Sequence, residues 1–355
     1  MMDRILRVLV VDDSAYVRKV IKQMLSRSPF IDVVGVAGNA EEALDLTQKL
    51  QPDVVTLDLI MPGIGGIGFI REQMSRAPIP ILIVSIAGES SELVLEALDA
   101  GAIDFVQKPS ALASEKVFEM SDDLIEKIKA AGSVRLTAVR PAVAKIRTGS
   151  NLAGAPQSQS IQIVVIGIST GGPQALKVLV PAFPANFPLP IAIVMHMPIG
   201  YTQLYAKRLD ELSSLAVIEA QEGTDVRAGS VLIAPAGRHL TFNRKNSSVV
   251  AHLDARPFDT LHRPSVDVLF RSAADTFGAG VLGVVMTGMG EDGKDGSSWI
   301  KMKGGLIFAE AEESCVVYGM PRAVIEAGLA ARVIPLNRMT EAIVEVVYGE
   351  NPDRR

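Results

Sequence analysis

The sequence predicts an α/β protein built from two doubly wound parallel sheets, and three observations lead to that expectation. First, 355 residues are more than one ordinary hydrophobic core holds, because domains commonly have about 150 residues. Second, short β-branched runs alternate with helical patterns in two separate regions. Third, a segment without acidic residues, 133–160, separates these regions. We therefore expect a first domain at 1–132, a linker at 133–160 and a second domain at 161–350.

Composition and charge exclude several classes of protein. Hydrophobic residues make up 48% of the chain, and a net charge of -5 offers a phosphate backbone no overall attraction. The first apolar run ends in Asp12 and Asp13, unlike a signal peptide, and four prolines interrupt the apolar stretch 182–200. Cys315 is the single cysteine, so no intrachain disulfide can form. We expect a cytoplasmic protein with no nucleic-acid partner and no direct membrane insertion.

In the first region, five strand-like runs alternate with five helical patterns. The strand-like runs are RVLVVDD, DVVGVAG, DVVTLDL, PILIVSI and AIDFVQKP. The helical patterns are AYVRKVIKQMLSR, AEEALDLTQKL, GGIGFIREQMS, ESSELVLEALDAG and EKVFEMSDDLIEKIKAA. Alternation of this kind is typical of a parallel sheet with helices on both faces. The region therefore predicts one complete domain.

Charged residues stand at three of these predicted strand ends. Asp12 and Asp13 end the first strand, Asp58 ends the third and Lys108 ends the fifth. The carboxyl ends of parallel strands converge on one crevice, where ligands bind. Three carboxylates repel one another there unless a divalent cation is present, and oxygen ligands suit Mg²⁺. We therefore expect a phosphoryl site, with Asp58 as the acceptor and Lys108 beside the phosphoryl oxygens.

These strand ends resemble the receiver domain of two-component response regulators over about residues 4–131. The segments VVDDS, DLIMPGIGG, VSIAG and FVQKP stand where that family keeps its acid pair, phosphoacceptor, switch hydroxyl and lysine–proline pair. The resemblance implies a flavodoxin-like fold in which a histidine kinase phosphorylates Asp58, with Mg²⁺ as the cofactor. It also implies that Ser85 and Phe105 shift on phosphorylation and that the peptide bond before Pro109 is cis.

The second region alternates in the same way. Its strand-like runs include IQIVVIGIST, PIAIVMHMP, GVLGVVMTG and LIFAEAEE, and its helical patterns include TQLYAKRLDEL, DGSSWIKMKGG and MPRAVIEAG. We expect a second doubly wound sheet. The stretch 222–254 is rich in turns and short strands, so we expect it to form a small antiparallel insert.

The segment GISTGG follows the first predicted strand of this region and allows three interpretations. A dinucleotide-binding turn would need a glycine where Ser169 stands and an acid where His196 ends the next strand. A close-packed glycine turn with an incidental serine is the second interpretation. The third is a nucleophile turn, G-x-S-x-G, which holds a serine on a tight bend beside helix N-terminal amides. That chemistry also needs a base and an orienting acid.

Two histidines are candidates for the base. His196 ends the strand that follows the serine segment, so a right-handed crossover places it beside Ser169. His262, at the predicted start of a helix, is the alternative. His239 and His252 lie in the predicted insert, and we expect both to be structural.

The segment VVMTGMGEDGKDG supplies candidates for the acid. Glu291, Asp292 and Asp295 follow a predicted strand. Residues 288–294 also match the phosphate-binding pattern G-x-x-x-x-G-K, but Asp295 stands where that pattern needs a serine or threonine. Acidic side chains within the loop would also repel a phosphate. We therefore interpret the loop as the source of a catalytic acid.

Taken together, GISTGGPQAL, MHMP, AGRHL, HRPSVDVLF and TGMGEDG resemble the chemotaxis protein-glutamate methylesterase family over essentially the whole chain. The resemblance implies a Rossmann-like catalytic domain that needs no cofactor for ester hydrolysis. It implies that Ser169 is the nucleophile, His196 the general base and Asp292 the acid that orients the base. The backbone amides of Met289 and Thr170 are candidate oxyanion donors.

The resemblance also implies a substrate and a form of regulation. The substrate would be a γ-glutamyl methyl ester on the cytoplasmic helices of a chemoreceptor, hydrolysed with release of methanol, and receptor glutamines would be deamidated. In the family, the unphosphorylated receiver covers the catalytic cleft, so phosphorylation of Asp58 is expected to weaken that interface. A phosphorylation-controlled adaptor without catalytic activity and a nucleotide-dependent enzyme are the alternatives.

Overall fold

The computed structural model describes residues 4–86, 91–108, 116–132 and 161–349. These residues form two α/β domains, each with a parallel sheet, as the alternation of strands and helices predicts. Within these ranges, no helix is long and apolar enough to span a lipid bilayer. The predicted linker at 133–160 lies outside the described residues, and so does Pro109 with the cis bond expected before it.

Five strands and five helices make up the first domain. The strands are β1 (Leu6–Val11), β2 (Ile31–Ala37), β3 (Val54–Leu57), β4 (Ile81–Ile86) and β5 (Asp104–Lys108). The helices are α1 (Ala15–Leu25), α2 (Ala40–Leu50), α3 (Gly65–Arg76), α4 (Ser91–Asp99) and α5 (Lys116–Gly132). The strands are parallel throughout, in the order β2-β1-β3-β4-β5. That order is the flavodoxin-like one that the receiver resemblance implies.

Alternate residues of β1 enter two different hydrophobic cores, because successive side chains of a strand point to opposite faces. Leu9 and Val11 pack with α2, α3 and α4, whereas Val8 and Val10 pack with α1 and α5. All four side chains are fully buried. Burial of a valine or leucine side chain contributes about 1.5–3 kcal/mol. The sheet is therefore stabilised from both faces, as a doubly wound domain requires.

The second domain has nine strands and six helices in the described residues. The strands are β6 (Ile163–Ile168), β7 (Ile191–Met195), β8 (Ala216–Glu219), β9 (Ser230–Ile233), β10 (His239–Lys245), β11 (Ser248–Asp254), β12 (Val281–Val285), β13 (Leu306–Glu310) and β14 (Arg332–Ile334). The helices are α6 (Gly172–Leu179), α7 (Thr202–Leu212), α8 (Val266–Phe277), α9 (Lys294–Met302), α10 (Met320–Glu326) and α11 (Leu336–Tyr348). Seven strands form one parallel sheet in the order β14-β13-β12-β6-β7-β9-β8.

The antiparallel insert is smaller than the sequence predicts. Strands β10 and β11 form an antiparallel hairpin, but β9, which lies inside the predicted insert, pairs parallel with β7 and β8. Every residue of β9 is buried, which is typical of a strand covered on both faces and not of an exposed hairpin. The prediction that His262 starts a helix is also wrong, because α8 begins four residues later, at Val266.

The sheet of the second domain brings three loops to one edge. Strand β6 lies between β12 and β7, with Gly167 paired to Val285 and Ile168 paired to Met195. The chain proceeds from β6 to β7 on one side and reaches β12 later on the other, so the strand order reverses at β6. A crevice forms at the carboxyl ends of the strands at such a point. Ser169, His196 and the loop that follows β12 all emerge there.

Candidate active site

Ser169 stands on the turn between β6 and α6. Its amide donates to the carbonyl oxygen of Thr287 (2.9 Å), and its carbonyl oxygen accepts from the amide of Gly172 (2.7 Å). Gly171 has a φ of +81°, a conformation that favours glycine, and a Cβ there would lie 2.5 Å from Val316. The paired glycines therefore permit the bend, and the side chain of Ser169 is left half-buried at the edge of the sheet.

A chain of hydrogen bonds joins Ser169 to His196 and Asp292. The Oγ of Ser169 lies 3.1 Å from Nδ1 of His196, and Nε2 of His196 lies 2.8 Å from Oδ2 of Asp292. Because a carboxylate only accepts, the Nε2–H of His196 donates to Asp292, and Nδ1 is left to accept from the serine hydroxyl. In the chymotrypsin-type arrangement, Nε2 of the histidine faces the serine and Nδ1 faces the acid. Here the two nitrogens are exchanged, but the serine still donates to the histidine and the histidine still donates to the aspartate.

The amino-terminal end of α8 holds Asp292. Its Oδ1 accepts from the Oγ of Ser265 and the amide of Asp267, both at 2.9 Å, and its Oδ2 accepts from the amide of Val266 at 2.8 Å. Burial alone would raise the pKa of Asp292. The hydrogen bonds from His196 and from these amides outweigh burial and hold the pKa well below its ordinary value. Asp292 is therefore ionised and fixed in orientation at neutral pH.

Asp267 fixes the loop that carries Asp292. Its Oδ1 accepts from the amides of Gly293 (2.9 Å) and Gly296 (2.7 Å), which ties the start of α8 to the start of α9. Burial raises the pKa of Asp267, and the nearby charge of Asp292 adds to this effect, whereas the hydrogen bond from Gly296 opposes it. Neither Asp267 nor Ser265 was predicted from the sequence. In the segment SVD, a serine that precedes a helix and an aspartate in its first turn are the pattern from which both residues could have been found.

His262 lies beside the general-base candidate His196. Its ring stacks on that of His196, with 4.0 Å between ring centroids and 25° between the planes. Burial, together with repulsion by His196, lowers the pKa of His262 to about 4, so its ring is neutral at pH 7. The histidine that faces the Ser169 hydroxyl is His196. His262 instead limits how far the ring of His196 can move.

The loop after β12 passes directly behind Ser169. A Cβ on Gly288 would lie 2.8 Å from the Cβ of Ser169, so glycine is needed for this close approach. The next residue, Met289, is one of the two sequence-predicted oxyanion donors. The other, Thr170, is buried and adjacent to Ser169, and its carbonyl oxygen accepts from the Oγ1 of Thr287 at 2.9 Å. Both amides therefore belong to backbone that is fixed beside the serine.

The acidic residues predicted in the first domain also come together. Asp12, Asp13 and Asp58 each offer a carboxylate oxygen, and these atoms lie within 4.8 Å of one another. The Nζ of Lys108 lies 2.6 Å from Oδ2 of Asp12 and 3.0 Å from Oδ2 of Asp58. Burial raises the pKa of Asp58, and repulsion by Asp12 adds to this effect, whereas Lys108 opposes it. Three oxygen ligands this close fit a small divalent cation.

Ser85 and Phe105, the predicted switch residues, are both buried. Ser85 lies on β4 and pairs with Gln107 of the neighbouring strand β5. The ring of Phe105 packs against that of Tyr201 in the second domain, with 4.7 Å between centroids. The predicted switch residue on β5 therefore contacts the other domain directly.

The carboxyl half of the first domain packs beside the serine. The Oγ1 of Thr170 donates to Oδ2 of Asp104 (2.7 Å), and Nζ of Lys127 donates to the carbonyl oxygen of Phe105 (2.7 Å). Asp99, at the end of α4, pairs with Lys177 of α6 and with Arg208 of α7. The contact of Asp104 was not predicted, because it depends on how the two domains dock.

Two family models match the chain. The model described as CheB methylesterase matches residues 164–343, and the model described as response regulator receiver domain matches residues 8–117. Together they cover both domains.

Similar proteins extend over almost the whole chain. A relative from Myxococcus xanthus (strain DK1622), named protein-glutamate methylesterase/protein-glutamine glutaminase 5, is 48% identical over 94% of this chain and 96% of its own. A Thermotoga maritima protein named protein-glutamate methylesterase/protein-glutamine glutaminase is 41% identical over 98% of this chain and 100% of its own. The crystal structure of the Thermotoga maritima CheB methylesterase catalytic domain, at 44% identity, covers 53% of this chain and all of that one, with a TM-score of 0.52.

Proposed function

The chain belongs to the chemotaxis protein-glutamate methylesterase family, and we propose that Ser169, His196 and Asp292 are its catalytic triad. It is a phosphorylation-regulated methylesterase and glutaminase with an amino-terminal receiver domain. The observation that carries the triad assignment is the continuous hydrogen-bond chain from the Ser169 hydroxyl through the imidazole of His196 to the Asp292 carboxylate.

The reaction follows from the positions of the protons in these hydrogen bonds. Oγ of Ser169 bonds to the ester carbonyl carbon while its proton passes to Nδ1 of His196. The carbon–oxygen bond to the methoxy group then breaks, and the leaving oxygen takes the proton from the imidazolium to give methanol. A water molecule next gives a proton to His196 and attacks the acyl-enzyme, which releases glutamate and restores the serine. With a glutamine amide, ammonia leaves in place of methanol.

Asp292 and the neighbouring amides stabilise the charges that appear during these steps. An imidazolium forms on His196 in each half of the reaction, and the ionised Asp292 beside it offsets that charge. The negative charge on the former carbonyl oxygen needs hydrogen-bond donors on the side away from His196. We assign this role to the backbone amides of Met289 and Thr170, because both flank Ser169 on fixed loops. Removal of one such donor typically lowers kcat by about 10²–10³-fold.

We assign the receiver domain to residues 1–132, the linker to 133–160 and the catalytic domain to 161–350. A carboxylate oxygen of Asp58 would attack the phosphorus of a kinase phosphohistidine, and the histidine nitrogen would leave. Asp12, Asp13 and Asp58 would hold Mg²⁺, which neutralises charge on the phosphoryl group when it is bound. Lys108 would then contact the phosphoryl oxygens. The substrate is the methylated glutamyl side chain of a chemoreceptor.

The contact between the domains supports control of the esterase by the receiver. Asp104 accepts a hydrogen bond from Thr170, the residue next to the nucleophile, and Phe105 packs on Tyr201, so the receiver contacts the catalytic domain beside Ser169. A shift of Phe105 on phosphorylation of Asp58 would remove part of this packing. While the open state is rare, a change of about 1.4 kcal/mol in its free energy increases its abundance about ten-fold.

Methanol release from a methylated receptor fragment tests this function. With the full chain, a small acyl phosphate and Mg²⁺ should raise the rate about ten-fold. Asp58→Asn should abolish the increase, because the amide cannot accept the phosphoryl group. Asp45→Asn changes an exposed carboxylate on α2 and should leave the increase intact. An increase of the same size in Asp58→Asn would refute the assignment of Asp58, and no methanol from the wild type would refute the function itself.

A further inference from the structure

Glu310 is a completely buried acid that no step of the reaction uses. It is the last residue of β13, and its side chain has no exposed surface. Its carboxyl group accepts two hydrogen bonds, from the amide of Thr287 to Oε2 (2.8 Å) and from Oγ of Ser314 to Oε1 (2.9 Å). Glutamate side chains are rarely buried in full without such partners. These two contacts therefore account for the position of the carboxyl group inside the domain.

The amide of Thr287 lies just beyond the point where the pairing of β12 with β13 ends. The last paired residues of the two strands are Val285 and Ala309. A buried backbone N–H beyond this point needs another acceptor, because leaving it unsatisfied is costly. Thr287 is buried, and the carboxyl group of Glu310 supplies the acceptor that the strand no longer offers.

Thr287 in turn holds the backbone of the nucleophile turn. Its carbonyl oxygen accepts from the amide of Ser169 (2.9 Å), and its Oγ1 donates to the carbonyl oxygen of Thr170 (2.9 Å). Met289, whose amide we assign as an oxyanion donor, follows two residues later on the same loop. One buried residue therefore connects the nucleophile with both assigned oxyanion donors, and Glu310 holds that residue through its amide.

We propose that Glu310 is a positioning residue for the reaction at Ser169. The proposal deepens the proposed function and rests on it. By accepting from the amide of Thr287, the carboxyl group fixes the backbone that holds Ser169 and leads to Met289. The nucleophile and the oxyanion donors have to be aligned accurately, because a misplacement of about 1 Å can lower the rate about 10²-fold.

This role requires an acceptor at the right distance and does not require a negative charge. Burial raises the pKa of Glu310 to about 7, although the hydrogen bonds from Thr287 and Ser314 oppose this effect. A neutral carboxyl group keeps both contacts, since its carbonyl oxygen accepts from the amide and its hydroxyl donates to the Oγ of Ser314. Glutamine offers the same acceptor and donor. Aspartate keeps the acid, but its side chain is one methylene shorter.

Methanol release from the methylated receptor fragment tests this role, at a temperature where circular dichroism shows every variant to be folded. Glu310→Asp should lower kcat about ten-fold, and Glu310→Met, which fills the space without an acceptor, about 10²-fold. KM should change little in both variants, because Glu310 does not touch the substrate. Glu310→Gln should keep a kcat close to that of the wild type. Glu313→Met replaces an exposed glutamate three residues along the chain, and this control should also match the wild type.

The outcomes separate this proposal from the function on which it rests. A lower melting temperature with wild-type kcat in Glu310→Asp and Glu310→Met would show that Glu310 only stabilises the fold, and the positioning role would be wrong. A Glu310→Gln variant as slow as Glu310→Met would also overturn it, and so would a loss confined to KM. If Glu310→Met does not fold, the comparison of Glu310→Asp with Glu310→Gln decides by the same criteria. Failure of the wild type to release methanol would instead contradict the proposed function.

Discussion

Replacing Ser169 with alanine is expected to lower kcat for methanol release by about 10⁴-fold or more, because no other group can form the acyl-enzyme in this site. The residual rate would come from water activated by His196 and from the oxyanion donors. Binding of the methylated receptor should change little, since the hydroxyl is one small group beside a larger contact surface. Methanol measured over hours, with the receptor fragment in excess, gives the necessary sensitivity.

Ser297 provides a matched control for this substitution. It is fully buried in α9, and its Oγ has no hydrogen-bond partner among the residues that the structure describes. Ser297→Ala therefore removes a hydroxyl from the same domain, and among the described residues it breaks no hydrogen bond. The rate of methanol release by this variant should match that of the wild type. Near-wild-type methanol release by Ser169→Ala would show that Ser169 is not the nucleophile.

Replacing Asp292 with asparagine is expected to lower kcat by about 10⁴-fold while the protein stays folded. The carboxylate of Asp292 accepts from His196, from Ser265 and from the amides of Val266 and Asp267. An asparagine NH₂ group must face one of these donors. If it faces His196, Nε2 must accept a hydrogen bond, so the proton of the ring moves to Nδ1. Nδ1 can then no longer take the proton of the serine.

Asp295→Asn is the control for the charge change, because Asp295 is an exposed carboxylate three residues away in the first turn of α9. It should keep most of the wild-type rate. Circular dichroism and melting curves of both variants separate a catalytic defect from unfolding. An Asp292→Asn enzyme with full activity and a normal fold would contradict the orienting role of Asp292.

The sequence was informative about the strands and about the edge of the sheet where they end. β-branched runs predicted the five strands of the first domain, and their charged ends predicted that Asp12, Asp13, Asp58 and Lys108 would come together. These predictions succeed because the topology of a parallel sheet brings its carboxyl strand ends to one edge. The family relationship and the enzyme class are likewise confirmed by the matched family models and relatives, which exclude the adaptor without catalytic activity.

Other features depend on tertiary contacts that no local pattern specifies. Strand β9 was assigned to the insert because its neighbours are turn-rich, but its four residues are buried, and three of them pair with β7. Helix α8 begins at Val266, after Pro264 and the N-cap position Ser265. His262 therefore lies in the preceding loop, where its ring stacks on that of His196. The contact of Asp104 with Thr170 requires the docked domains. The assignment of the triad itself stays a prediction until it is measured.

Mass spectrometry of a rapidly quenched reaction tests the central claim most directly. When the full chain is mixed with methylated receptor fragment and quenched within the first turnover, the peptide containing Ser169 should carry the receptor glutamyl group in an ester bond. Hydroxylamine should remove this group, and Ser169→Ala should not form it. Methanol release accompanied by an adduct on a different residue would contradict the account. So would full activity in the Ser169→Ala protein.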